Sequence, residues 1–415
     1  MQQPKLWTAS FMKISFSSFF VFLAFYILAT GMSLYVTENL GGTDSEAGLA
    51  MAAFIISAVL LRPFAGQFMM KYGVKKIVFA ALLLYMIFSI SYFAILGFTV
   101  LLVIRFLHGG SFAIATTATN TAAINFIPDS RKGEGISYFS LFMSMAMVIG
   151  PYIGLTITHQ WGFNAVFAVC AICAIIAYVL GLSAFRQSKK SMANNAQQAV
   201  SAAAAAAAPE NSVKRKFSIR DMIERNAVPI SISGFIIAFS YSGLITFISI
   251  YAKERNLADV SSYYFVFFGL MIILPRPFIG KMMDRYNKSY IIYPSIFIFA
   301  LGMLLLSFAD MPAMLLLSGA VAGLGYGAML PCLQTIAIMS AKPERRGLAT
   351  ATFYLLFDLG YGIGSYTLGA IATASSYSAM YVICAIVIAA SVLFYYLLHH
   401  RPQSKLAAPA YKQAT

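Results

Sequence analysis

Charged residues are scarce in this sequence, and that scarcity excludes most protein classes. Only 10% of the 415 residues are charged and 60% are hydrophobic, whereas an ordinary soluble domain carries about 25% charged residues. A soluble chain of this length would need polar surface that this one lacks. The polar residues cluster in short gaps between apolar runs of about 20 residues, the length that crosses a bilayer as a helix. Runs this continuous also exclude the alternating strands of a membrane β-barrel.

Cysteines and enzyme motifs are scarce as well. The four cysteines all lie in apolar runs, and we interpret them, including the Cys170–Cys173 pair, as buried small hydrophobic residues. The sequence contains no G-x-x-x-x-G-K-[ST] phosphate loop, no G-x-S-x-G nucleophile elbow and no metal-spaced His/Cys cluster. We therefore predict a protein that is not an enzyme, does not use ATP and needs no cofactor or metal.

Twelve apolar segments are long enough to cross a membrane. With the N-terminus inside, 24 of the 29 Lys and Arg residues fall in inside segments, which is the positive-inside bias of a multi-pass membrane protein. The net charge of +15 is thus a topology signal and does not indicate nucleic-acid binding. Both termini are predicted to be cytoplasmic. The predicted spans are 11–35, 47–69, 76–97, 99–127, 136–158, 163–185, 228–251, 261–283, 289–308, 312–339, 349–372 and 376–398.

A repeated phrase divides the chain into two related halves. Residues 62–72 read RPFAGQFMMKY and residues 276–286 read RPFIGKMMDRY, so the second copy follows the first by about half the chain. A second match, PDSRKG from residue 128 and PERRG from residue 343, has nearly the same spacing. Because both copies of each phrase lie on the same predicted side, the halves are parallel repeats about an axis along the membrane normal.

This division predicts the domain organisation. The fold class is an all-α membrane protein, with twelve transmembrane helices in two pseudo-symmetric six-helix bundles. We predict the first bundle at 1–185, a basic cytoplasmic linker at 186–226, the second bundle at 227–400 and a cytoplasmic tail at 401–415. The linker contains a run of seven alanines, and we interpret it as a solvated tether.

These patterns resemble the major facilitator superfamily over nearly the whole chain. The family's loop between helices two and three reads roughly G-x-L-x-D-R-x-G-R-R. Here residues 66–76 read GQFMMKYGVKK, with Met70 at the acidic position, while the second copy keeps the acid as Asp284. Residues 105–109, RFLHG, are similar to the R-x-x-Q-G motif of helix four. Residues 150–155, GPYIGL, resemble the G-P-x-x-G-G signature of the proton-coupled antiporters.

The resemblance implies that the two loops latch the cytoplasmic side of a transporter. Glycines there allow close helix approach, basic residues meet anionic headgroups, and a carboxylate can pair with a cation or cap a helix. Because Met70 cannot pair, we expect the first latch to be the weaker one. A topology signal alone is the alternative. The predicted gate residues are Gly66, Lys71, Gly73, Gly280, Asp284 and Arg285.

Asp358 is the most specific candidate site because it lies about ten residues into the eleventh span, roughly 15 Å deep. A carboxylate there costs at least about 3 kcal/mol unless it is neutral or paired. We predict that Asp358 couples proton movement to substrate movement. A structural, hydrogen-bonded aspartate is the alternative. For Arg62 and Arg276, near the inner boundary, we expect structural roles, with side chains that can reach the lipid headgroups.

Two further motifs carry roles that the resemblance implies. Arg105 would assist proton coupling, with His108 one turn away on the same helix face, and a polar packing pair is the alternative. The helix-five motif, formed by Gly150, Pro151 and Gly154, would pack against the other half and seal the transport route. An ordinary proline kink is its alternative.

A central substrate cavity is implied between spans one, four, seven and ten. Tyrosine suits amphipathic ligands there because it offers a flat apolar face and one hydroxyl. The predicted cavity residues are Tyr26, Thr117, Asn120, Tyr241, Tyr326 and Gln334.

Together these features predict a proton-coupled secondary transporter that exports a small molecule by alternating access. Its partners would be the small-molecule substrate, protons and the lipid bilayer, with no nucleic acid, and we expect a monomer in the bacterial inner membrane. A proton-coupled importer of a metabolite or metal chelate is one alternative. A membrane receptor or lipid-handling protein without proton coupling is the other.

Overall fold

The fold was analysed in a computed structural model, which describes residues 5–128, 131–205, 223–275, 278–279, 282, 286–341 and 346–400. All regular elements in these ranges are helical. The long helices are α1 (Ala9–Leu34), α2 (Asp44–Tyr72), α3 (Val74–Ile90), α4 (Phe98–Phe126), α5 (Lys132–Ala205), α6 (Val228–Glu254), α7 (Ala258–Ile273), α8 (Ser289–Ser307), α9 (Pro312–Met339), α10 (Arg346–Ala374) and α11 (Tyr377–Tyr395).

Helix α5 contains two membrane spans. Gly162 interrupts its helical geometry with φ 74° and ψ −177°, a left-handed φ that glycine adopts without steric cost. The break separates the fifth and sixth predicted spans, so the eleven long helices of the described residues supply twelve helical segments, one for each predicted span. The prediction of twelve helices in two bundles is therefore confirmed. Beyond the sixth span, α5 continues to Ala205, so this part of the predicted tether is helical.

The loops are short because local signals end the helices sharply. Thr43 caps α2 with a reciprocal capping box, in which its hydroxyl accepts from the Glu46 amide and the Glu46 carboxylate accepts from the Thr43 amide at 2.7 Å. Gly73 ends α2 with a φ of 84° and begins α3 in the next residue. Helices joined this tightly lie antiparallel and alternate between the two faces of the membrane.

The repeat seen in the sequence is also a repeat in packing. A Cβ atom on Gly109 of α4 would collide with the carbonyl oxygen of Phe54 in α2. A Cβ atom on Gly323 of α9 would collide in the same way with the carbonyl oxygen of Phe268 in α7. Gly323 and Phe268 follow Gly109 and Phe54 by the same spacing that separates the two copies of the repeated phrase. Each half therefore contains the same close helix crossing.

The two halves meet through pairs of helices that the repeat also relates. Helix α2 packs on α10, and α7 packs on the first span of α5. A Cβ atom on Gly362 would lie 3.1 Å from the Ile55 side chain, and one on Gly269 would collide with the Val148 side chain. The spacing of the repeat relates Ile55 to Gly269 and Val148 to Gly362. Each half therefore offers an aliphatic side chain to a glycine of the other.

The two membrane faces differ in how the halves are joined. We call the face with Lys71, Lys75 and Lys76 the basic face, and the face where α1 ends and α2 begins the opposite face. On the opposite face, Lys253 of the second half donates to Glu38 of the first at 2.5 Å. The halves are also joined there by Ser45 with Thr373 at 3.3 Å, and by His159 with Ser261 at 3.4 Å. The opposite face is therefore closed in this structure.

We expect Gly109→Ala and Gly323→Ala to destabilise the protein by similar amounts, about 1–3 kcal/mol, since each methyl group would press on a backbone oxygen that cannot move aside. The melting temperature in detergent measures this loss. Gly66→Ala is the control, because no described atom lies within 4 Å of a Cβ at that position. Unchanged melting temperatures for both crossing variants would contradict the shared packing.

Candidate functional site

An ion pair joins the two halves near the middle of the membrane. The Asp358 carboxylate of α10 lies 3.0 Å from a guanidinium nitrogen of Arg62 in α2. Each residue is close to the midpoint of its helix. Arg62 thus points to Asp358 and not to the lipid headgroups that its side chain could reach, and the structural role expected for it stays a prediction. A cation this deep is stabilised better by a carboxylate in the protein interior than by distant headgroups.

The two side chains of the pair are partly exposed, although the Asp358 oxygen that faces Arg62 is itself buried. The side chains of Asp358 and Arg62 are 17% and 26% exposed. The contact has the distance of an ion pair without the alignment of a hydrogen bond, and the Nε atom of Arg62 has no hydrogen-bond partner among the described residues. Both partners of the ion pair therefore keep unused hydrogen-bonding capacity.

Tyrosines from three helices form an aromatic wall in the second half. The rings of Tyr241 in α6 and Tyr326 in α9 stack with centroids 4.3 Å apart and planes 16° apart. Tyr361 of α10 meets Tyr241 edge-on at 6.0 Å. All three are at most 5% exposed. Tyr361 lies three residues after Asp358, so the wall begins beside the ion pair.

Of the predicted cavity residues, Tyr241 and Tyr326 are brought together in this wall. Tyr26 of α1 is half-buried, with its Cβ atom beside Gly150 of α5 in the first half. Sequence reasoning missed Tyr361 and the partnership of Arg62. The helical spacing from Asp358 was the available signal for Tyr361.

The other predicted cavity residues are less clearly placed. Thr117 is half-buried and donates to the Ala113 carbonyl of its own helix at 2.7 Å. Asn120 is exposed and Gln334 is half-buried. These three residues remain candidates on the basis of their helices alone.

Arg105 is fully buried inside the first half. Its Nε atom donates to the Ala50 carbonyl at 3.1 Å, and a terminal nitrogen lies 3.4 Å from the Tyr92 hydroxyl. The guanidinium group also lies 4.6 Å from the centre of the Phe54 ring. A carbonyl dipole, a hydroxyl and an aromatic face therefore solvate this cation.

His108 completes that polar cluster. Its Nδ1 atom lies 3.1 Å from the Tyr92 hydroxyl, and its Nε2 atom lies 3.1 Å from the Ser89 hydroxyl. Because both ring nitrogens have hydroxyl partners, a neutral imidazole is fully satisfied here. The arrangement is that of a polar packing pair, and the proton-coupling role of Arg105 and His108 stays a prediction.

The helix-five motif packs on its own half. A Cβ atom on Gly150 would lie 2.5 Å from the Cβ of Tyr26, and one on Gly154 would lie 2.8 Å from the carbonyl oxygen of Ile27. The implied packing of these glycines against the other half is therefore wrong. Tyr152, inside the same motif, does reach that half, with its ring 5.8 Å from Tyr263. Pro151 is buried within α5.

Of the gate loops, the structure describes only the first. Gly73 is the turn between α2 and α3, and Lys71 is exposed, with its amine 5.1 Å from the Tyr72 ring centre. The close helix approach expected at Gly66 is not made in this conformation, since no described atom lies within 4 Å of a Cβ there. The predicted gate residues Gly280, Asp284 and Arg285, together with Arg276, lie outside the described residues.

An open depression of about 720 Å³ lies on the opposite face, away from the ion pair. Both halves line it, through residues that include Glu38, Asp44, Lys253 and Tyr377. These residues belong to helix ends, whereas Asp358 and Arg62 are near helix midpoints. We interpret the depression as a vestibule over the closed face, distinct from the candidate site.

Two proteins of Staphylococcus aureus are similar in sequence to about a third of this chain. The staphylopine export protein of Staphylococcus aureus (strain Mu50 / ATCC 700699) is 31% identical over 137 residues, 32% of this chain and 33% of that protein. The quinolone resistance protein NorA of Staphylococcus aureus is 27% identical over 139 residues, 34% of this chain and 36% of that protein. These matches span about a third of the relatives' length.

The fold has a close structural counterpart as well. The crystal structure of a POT family transporter in complex with thioalcohol conjugated peptide has a TM-score of 0.72 at 14% identity, covering 94% of this chain and 96% of that one. A family model described as Major Facilitator Superfamily matches residues 14–294 and 268–413. With twelve spans in two repeated halves and a polar site between them, this chain belongs to the Major Facilitator Superfamily of small-molecule membrane transporters, which are not enzymes.

Proposed function

We propose that this transporter exports a small molecule in exchange for protons, and that Asp358 carries the proton. The observation that supports the proposal is the ion pair between Asp358 and Arg62, which links the two halves at mid-depth. The charge of the Asp358 carboxylate depends on proton binding, and the same charge holds the two halves together. Coupled alternating access requires a group with both properties.

Protonation of Asp358 would change the contact between the halves. The ionised carboxylate attracts Arg62 and favours packing of α2 against α10. A bound proton removes the negative charge and with it the attraction. By linkage, separation of the helices favours proton uptake, and their contact favours proton release. Proton occupancy and the positions of the two halves therefore depend on each other.

The same carboxylate can couple the proton to a substrate. A substrate with a cationic group would compete with both the proton and Arg62 for Asp358. Its flat apolar part would lie against the wall formed by Tyr241, Tyr326 and Tyr361, with Tyr26 of the first half as a further candidate contact. Competition for one carboxylate makes proton and substrate bind alternately, which is antiport.

The direction of transport and the topology complete the proposal. Export is supported by the two relatives, which are an export protein and a quinolone resistance protein. We propose that the protein lies in the plasma membrane of a bacterial cell, with its basic face and both termini in the cytoplasm. We also propose that it works as a monomer. The bundles would comprise 1–185 and 227–400, with a linker at 186–226 and a tail at 401–415.

We expect Asp358→Asn to abolish proton-driven transport, since asparagine cannot exchange a proton. A deletion strain and an overproducing strain, screened for drug susceptibility and exported metabolites, identify a substrate. Flux of that substrate into proteoliposomes under an imposed pH gradient then measures coupling. Asp310→Asn is the control, because it removes an exposed carboxylate from an opposite-face loop within one half and should leave coupling intact.

The same flux assay separates the alternatives. Full proton-driven flux by Asp358→Asn would refute the role of Asp358. Substrate movement along the proton flow would show an importer. Flux that is indifferent to the pH gradient would show a protein without proton coupling.

We further expect Arg62→Asp and Asp358→Arg each to destabilise the protein, and the double variant to recover stability. Each single change places like charges side by side at mid-depth, while the double change restores an ion pair in reverse. The cost of each single change should be about 1–3 kcal/mol, below that of a fully buried pair because both side chains are partly exposed. Melting temperatures in detergent measure it. Additive losses in the double variant would contradict a direct pair.

A further inference from the structure

Helices α1 and α6 carry the same short phrase. Residues 30–33 of α1 read TGMS, and residues 246–249 of α6 read TFIS. Each contains a threonine followed three residues later by a serine, and the second copy follows the first by 216 residues, two more than the 214 of the repeated phrase. At this spacing the threonine and serine lie on one face of their helix.

The two phrases bind each other reciprocally across the boundary between the halves. The Ser33 hydroxyl donates to the carbonyl oxygen of Thr246. The Ser249 hydroxyl donates to the carbonyl oxygen of Thr30 at 3.1 Å. All four residues are at most 1% exposed. Each helix thus donates one hydroxyl and accepts one, which is the relation that a two-fold repeat produces.

We propose that these two phrases form a hydroxyl clamp that closes the opposite face and is broken and remade in every transport cycle. The proposal rests on alternating access as set out under the proposed function. It assigns to Ser33 and Ser249 the task of setting how readily the opposite face opens.

The position of the clamp fits a gate over the substrate site. Thr30 lies one helical turn beyond Tyr26 on α1, and Thr246 lies five residues beyond Tyr241 on α6. One turn further toward the opposite face, Lys253 pairs with Glu38. The clamp therefore lies between the aromatic site and the vestibule.

Hydroxyl groups are suited to a contact that must open repeatedly. When α1 and α6 separate, Ser33 and Ser249 can donate instead to a carbonyl three or four residues earlier in the same helix. Such a bond slightly destabilises and bends a helix, so the bond between the halves stays the more favourable one. Thr30 already makes such a bond, to the Tyr26 carbonyl at 3.1 Å. A buried salt bridge at this place would leave uncompensated charges on opening.

The test measures the opening of the opposite face directly. Spin labels are attached at Leu96→Cys and Met311→Cys, which lie in exposed opposite-face loops of the two halves. The four native cysteines are buried and should not compete for the label. Pulsed electron–electron double resonance on the full-length protein in nanodiscs then measures the distance between the two labels. The distance distribution gives the populations of the closed and open conformations.

We expect Ser33→Ala and Ser249→Ala each to raise the ratio of open to closed protein about fivefold, the effect of one typical hydrogen bond. Ser17→Ala and Ser240→Ala are matched controls. They remove hydroxyl-to-carbonyl bonds from the same two helices, but the partners, Ala177 and Cys384, belong to the same half as the donor. The controls should leave the ratio unchanged.

An unchanged ratio in both clamp variants, or an equal shift in the controls, would overturn the clamp. Ser33→Thr, which keeps the hydroxyl, should restore the closed population, and failure of this rescue would also count against it. The readout is independent of proton coupling. If the serine variants shift the ratio but the protein shows no proton-driven flux, only the coupling proposal is contradicted. If flux is proton-driven but the serine variants leave the ratio unchanged, only the clamp is contradicted.

Discussion

The bilayer interior provides neither counter-ions nor hydrogen-bond partners, and the rest of this structure depends on that constraint. Each polar group placed among the apolar helices must find its partner within the protein or face water in a cavity. Asp358 finds Arg62, while Arg105 finds a carbonyl, a hydroxyl and an aromatic face. The few polar residues of the chain therefore mark where its helices must meet.

The placement of those partners divides them into two kinds. The cluster around Arg105 and His108 lies within one half, so movement between the halves need not disturb it. The Asp358–Arg62 pair and the bonds of Ser33 and Ser249 cross from one half to the other. Groups of the first kind hold a bundle together. Groups of the second kind have energies that depend on how the bundles are placed.

The internal repeat explains why the crossing contacts come in related sets. When two copies of one bundle face each other, each contact has a counterpart. If a residue of the first half contacts a residue of the second, the related residue of the second half contacts the related residue of the first. The Ile55–Gly362 and Val148–Gly269 contacts show this for packing. The ion pair breaks the rule, since the positions related to Arg62 and Asp358 are Arg276 and Ser144. Within the described residues, this acid between two similar halves gives the transporter one charge-dependent contact at mid-depth.

The sequence by itself determined the membrane class, the number of spans and the two-half division, because span length, charge bias and repeats are local properties of the chain. It also identified Asp358, since an acid deep in an apolar run is conspicuous without any partner. Only the tertiary structure decided that Arg62 is that partner, that Gly150 and Gly154 face α1, and that the Thr-x-x-Ser phrases meet. Those contacts join residues that are far apart along the chain, and helix periodicity does not specify which faces of which helices come together.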